Sequence, residues 1–211
     1  MRLPKPTESH DFEPCPAGNH LAVCYQLVDF GTQETNFEGK TSTRHEILIG
    51  WEIPEERMED GRPFMINQRY RFSMHEKAKL RHHLEAWRGR AFTDAEFETF
   101  ALENILNTSC MLQVIHTHKG DKTYANIASV AALPKGMKKS DGAENELVFF
   151  SFDEPNGDTF DALPEWMRET IAKSPQFEAW MNPQELNQDT PEMRAEDHQN
   201  QDVGYTSDIP F

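Results

Sequence analysis

The chain has 211 residues, enough for one domain with its own core plus a substantial extension. Its formal charge of −15 is unevenly spread: residues 1–140 hold 18 Lys+Arg against 19 Asp+Glu, a balance of −1, whereas residues 141–211 hold 3 against 17, a balance of −14. Overall acidity therefore does not exclude a phosphate-bearing partner for the first two thirds. Three widely spaced cysteines offer no disulfide framework, and no stretch approaches the ~18 apolar residues of a membrane span.

Residues 1–17 carry Pro4, Pro6, Pro14 and Pro16 among polar side chains and read as a mobile arm. "MRLPKPTESHDF" lacks the apolar stretch of a secretion signal, so a cytoplasmic protein is expected. "NHLAVCYQLVDFG" predicts a first strand closed by Gly31. A long polar loop, "TQETNFEGKTSTR", separates it from "HEILIGWEIP", a second strand in which Ile47, Ile49, Trp51 and Ile53 alternate with Glu46, Leu48, Gly50 and Glu52. A third, "PFMINQRYRF", places Ile66, Gln68, Tyr70 and Phe72 on one face and Met65, Asn67, Arg69 and Arg71 on the other, with Ile66 and Phe72 expected in the core.

The period then becomes helical. Ser73 with Glu76 reads as a capping box for a helix from about Met74 to Arg88, and Thr93 with Glu96 opens a second in which Phe97, Phe100, Ala101 and Ile105 form a stripe. "SCMLQVIHTH" and "KTYANIASVAAL" flank the turn "KGDK" and predict a hairpin. Three strands, helices and two strands give an α+β chain in the order of an OB-fold, the five-stranded barrel with its helical insertion between strands 3 and 4, over residues 18–136. Residues 137–181 read as a linker, a short strand "LVFFSF" and short helices, whose Trp166, Ile171, Phe177 and Trp180 dock on the barrel or on another subunit. Residues 182–211 are too poor in apolar anchors to offset the entropy of ordering and are expected to form a disordered acidic tail.

That tail closes on Asp208-Ile209-Pro210-Phe211. It resembles the C-terminal tip of bacterial single-stranded DNA-binding proteins. The resemblance implies a docking peptide for partner enzymes, with the Phe in an apolar pocket and its carboxylate on a basic residue. Gly204, Tyr205, Thr206 and Ser207 precede Asp208 here, where the family has consecutive acids. The body, with "HEILIGWEIP", "RYRFSMHEKAKLRHHLEAWRG" and "LPEWMRETIAKSP", resembles single-stranded DNA-binding-like proteins of bacteriophage replication and recombination cassettes over roughly residues 18–180.

Binding single strands requires cations along the phosphates and aromatic faces for the bases. Arg69 and Arg71 on the third strand, Phe37, Lys40 and Arg44 in the first loop, and His118, Lys119, Lys122 and Tyr124 around the hairpin turn are the candidates. Either face of the third strand could meet DNA; the arginine face is preferred because its opposite reads as core. The basic run Lys77, Lys79, Arg81, His82, His83 and Arg88 fits a solvated helix face as well as a phosphate contact.

The expected function is non-enzymatic binding and protection of single-stranded DNA in replication, recombination or repair, with replication and recombination proteins recruited through the tip. No cofactor, metal or membrane partner is implied, and a homo-oligomer is compatible with the sequence. The alternatives are an OB-like adaptor without DNA binding and, more weakly, a metal protein built on His116 and His118 with His75, His82 and His83.

Overall fold

The computed structural model describes residues 13–37 and 39–183. Its elements run β1 (Gly18–Phe37), β2 (Lys40–Arg57), β3 (Pro63–Arg71), α1 (Lys79–Arg88), α2 (Asp94–Thr99), β4 (Ser109–Lys119), β5 (Lys122–Ala131), β6 (Val148–Phe150), α3 (Gly157–Ala162), α4 (Glu165–Ile171) and α5 (Pro175–Met181), with a 3-10 turn at Leu102–Ile105. The architecture is a mainly antiparallel sheet ordered β3-β2-β1-β4-β5, with β6 added in parallel beside Gln26–Val28. β1 is shared along its length: Gly18–Val23 pairs with β4 and Val23–Phe37 with β2. Among the described residues no ladder joins the sheet's two end strands, β3 and β5.

β1 and β2 read as nearly continuous apolar runs because both of their faces are covered. Cys24, Leu27, Ile47, Ile49, Trp51 and Ile53 pack inward against Leu80, Leu84 and Trp87 of α1. The other face carries Val28, Phe30 and Leu48, which bury against Phe150, Leu163, Met167 and Ile171 of the C-terminal segment. Burying a large apolar side chain is worth about 1.5–3 kcal/mol, so this second layer is an integral core. Residues 148–181 therefore pack on their own sheet. Phe177 and Trp180 are partly buried there, whereas Trp166 remains 45% exposed.

Two close fits hold the layer in place. Phe30 is an extra residue between the pairs Asp29–Ile47 and Gly31–Glu46, a bulge that bends β1. Gly31 follows it at φ +68°, and a Cβ there would lie 2.7 Å from Ser174 Cβ at the start of α5. The second is Glu52. It alternates with the inward isoleucines, yet it is fully buried and accepts hydrogen bonds from Glu144 N (2.6 Å), Asn145 N (2.9 Å) and Asn145 Nδ2 (2.6 Å). These donors offset the desolvation of the charge and fasten the 140–147 connection to β2.

The structure corrects four expectations. The polar stretch after Gly31 is not a loop: pairing continues from Gly31–Glu46 to Phe37–Lys40, making residues 31–46 the outer half of a long hairpin. Thr32, Thr35, Thr41 and Thr43 are β-branched, and Thr35 Oγ1 bonds Ser42 across the strands (3.0 Å). α1 starts five residues late, at Lys79 with Ala78 as N-cap. Ser73 Oγ accepts from His75 N and His75 Nδ1 from Lys77 N, local bonds that compete with helix. Phe72 lies one residue past the end of β3 and is 46% exposed, not core. The Thr93–Glu96 capping box does form, but its helix ends at Thr99 and the chain resumes as the 3-10 turn.

Candidate nucleic-acid interface

Alternation along β3 buries Ile66 and Tyr70 and turns Asn67, Arg69 and Arg71 out. Register places Arg69 opposite Leu48 and Arg71 opposite Glu46. Arg44 follows the same period on β2, and its Nε lies 2.9 Å from Glu46 Oε1 while Arg69 Nη1 lies 3.3 Å from Glu46 Oε2. One largely buried carboxylate thus aims two guanidiniums. Arg71 is exposed beside them and enters no ion pair among the described residues. Three of the nine candidates are brought together in this way, as three positive groups around one negative group.

An aromatic stack adjoins the cluster. The Arg69 guanidinium sits 4.6 Å above the Phe30 ring, and Phe30 meets Trp166 edge-on at 6.0 Å. The exposed Trp166 therefore stands at the end of a chain of contacts leading to Arg69. It comes from α4, some hundred residues away in sequence, and was expected to dock on the barrel or another subunit; its position next to cations was not legible. The combination of an exposed indole and oriented guanidiniums suits a base and its flanking phosphates.

The remaining candidates lie elsewhere. Phe37 and Lys40 face each other at the hairpin tip, and their side chains are outside the described residues. His118, Lys119, Lys122 and Tyr124 occupy the β4–β5 hairpin, which runs beyond Gly18, so the two tips leave opposite ends of β1. His118 Nδ1 lies 3.1 Å from Thr123 Oγ1, Lys119 and Lys122 form a like-charged cross-strand pair, and Tyr124 is 47% exposed. The structure does not gather the nine into one groove. Asp208, Ile209, Pro210 and Phe211 lie outside the described residues.

The basic run of α1 is mostly engaged. Arg81 pairs with Glu85 (2.9 Å), Arg88 with Glu96 (2.5 Å), and Lys79 donates to Gln68 (2.9 Å). His83 Nδ1 lies 2.8 Å from the Tyr70 hydroxyl, and burial with Lys79 nearby pushes its pKa down to about 4, which keeps the ring neutral. His45 is drawn the opposite way by its hydrogen bond to Asp29 (2.5 Å). His116 Nε2 lies 2.8 Å from the Cys15 carbonyl, and among the described residues no group of three or more His, Cys, Asp or Glu is placed to hold a metal. Nor is any described helix long and apolar enough to cross a membrane.

No protein-family model matches the chain, and no curated protein is significantly similar to it.

Proposed function

We propose that the protein binds single-stranded DNA without strong sequence preference through the Arg44–Arg69–Arg71 face and Trp166, as phage-type replication and recombination proteins do. The observation that carries this reading is the arginine cluster held by Glu46 beside an exposed indole. Strand order supports it. β1 shared between β2 and β4, with helices between β3 and β4, is the path of an OB barrel, whose second and third strands bind oligonucleotides. Recruitment of partner proteins by Asp208-Ile209-Pro210-Phe211 rests on the sequence resemblance.

Geometry narrows the expected surface. The outer face of β1 and the middle of β2 is covered by β6 and α3–α5, so DNA meets the β3 side and the outer hairpin, with Trp166 as the stacking element contributed by the covering layer. Anisotropy of a labelled oligo-dT with the full chain at two salt concentrations tests the reading. Salt-weakened binding that loses about 1–3 kcal/mol in Trp166→Ala is expected. No binding at either salt leaves the protein-adaptor alternative.

A further inference from the structure

Away from the arginine face, the inner core opens between α1, α2 and β6 into a cavity of about 320 Å³. Its depth is apolar, with Leu27, Ile47, Leu80, Leu84 and Phe92 on the walls. Its mouth is apolar too: Phe72, Phe97 and Phe149 are each more than a third exposed. Large aromatic side chains left in water around an open cavity mark an interaction surface rather than a packing fault. The exposed rim also extends the apolar surface beyond the cavity itself, which favours an occupant that covers the mouth as well as filling it.

Charge selects the occupant. Asp29, Glu103 and Asp153 line the cavity, and the two guanidiniums stacked on its aromatic rings, Arg81 on Phe97 (4.8 Å) and Arg88 on Phe92 (4.0 Å), are already paired with Glu85 and Glu96. Asp29 is engaged by His45, whereas Glu103 and Asp153 are exposed and enter none of the ion pairs among the described residues. The chain's own acidic end is a poor match. It departs from α5 close by, where Trp180 packs on Phe150 of the cavity wall (5.9 Å), but residues 184–211 hold seven Asp+Glu against one Arg and would meet like charge.

We infer that this cavity is a docking site for a basic amphipathic segment of a partner protein, which inserts a large apolar side chain between α1 and β6 and sets Lys or Arg against Glu103 and Asp153. It is a second recruitment surface, on the folded body and independent of both the DNA face and Asp208–Phe211.

Selection of a random twelve-residue peptide display library on the full-length protein tests it. The expected winners pair Phe, Leu or Trp with Lys or Arg. A synthetic winner should bind at least tenfold more weakly to Glu103→Lys/Asp153→Lys and to Ala101→Trp, which narrows the mouth from an exposed lining position. Oligo-dT affinity, read in parallel, should not fall in either variant, which separates this site from the DNA reading. Failure to enrich any sequence, enrichment of acidic sequences, or winners indifferent to both variants would overturn the proposal, as would a concentration-dependent dimer of the protein that these substitutions dissolve.

Discussion

The molecule has two long hairpins, and they differ in what stands behind their charged residues. The β1–β2 hairpin is backed by protein: at its base the sheet is packed on both faces, and Arg44 and Arg69 are fixed by a buried carboxylate and an aromatic stack. The outer half of β4–β5 has little beneath it, with Ile115 and Tyr124 exposed and Lys119 and Lys122 side by side in solvent. Both carry the residue types that a nucleic-acid surface uses. Only the first holds them in one geometry before a ligand arrives, and such preorganisation avoids paying for order at the moment of binding.

The largest effect is expected from removing the backing layer. Gly31→Ala places a methyl group on a residue at φ +68° and drives it to 2.7 Å from Ser174 Cβ. Left-handed backbone costs about 1–2 kcal/mol and overpacking about 1–3 kcal/mol. Thermal unfolding should fall by roughly 5–15 °C, in the range expected for a 150–250-residue chain, and limited proteolysis should cut first within residues 157–181. An unchanged Tm would mean that α5 is not seated on the bulge.

Next comes the arginine face. Arg69→Glu/Arg71→Glu exchanges two cations for two anions while leaving Arg44 to pair with Glu46. Oligo-dT affinity should drop about 30-fold or more. The milder Arg69→Ala/Arg71→Ala should lower the slope of log K against log salt by about 1.4, the counterion release of two phosphate contacts on a single strand. An unchanged slope would place the DNA elsewhere on the molecule.

Why some of this was legible and some not follows from which forces act locally. The alternation of Ile47, Ile49, Trp51 and Ile53 identified β2 and its inner face because burial imposes a two-residue period. The same period put Arg69 and Arg71 together on an outward face. It said nothing of residues 31–46, where neither face is apolar and the only signal was the density of threonines. The helix expected from Met74 failed because Ser73 and His75 bond their own backbone, a competition that periodicity does not register. Glu46, Glu52 and Trp166 were missed for another reason. Each takes its meaning from a segment distant in sequence: the backbone donors that hold the buried Glu52 come from residues 144 and 145.

A smaller effect joins β3 to α1. Tyr70 hydrogen-bonds a neutral His83 whose folded pKa is about 4, below its ordinary 6.5. The unfolded chain takes up this proton first as pH falls, so the contribution is complete above about 6.5 and is lost on the way down to 4. His45 does not confuse the window: its raised pKa makes its contribution complete below 6.5. Because His83 is partly open to solvent, a loss of about 1 kcal/mol, or 2–4 °C in Tm, is expected between pH 6.5 and 4.5. His83→Gln should flatten that segment of the Tm–pH curve, and an equally steep curve in the variant would assign the loss to another group.

The smallest effect belongs to the second hairpin. Lys119 and Lys122 are opposed like charges at an exposed turn, a pairing that is itself mildly destabilising, so Lys119→Ala/Lys122→Ala should leave Tm unchanged or slightly raised. Solvated lysines at the opposite end of β1 from the β1–β2 tip contribute to a long single strand only if it passes both ends of the sheet. Oligonucleotide length therefore separates the two hairpins. Short oligo-dT should bind the double variant as it binds the unmodified chain, and a loss of about two- to threefold should emerge only on longer strands. A loss already present on the shortest strand that binds would make the β4–β5 tip part of the primary surface and remove the distinction between the two hairpins.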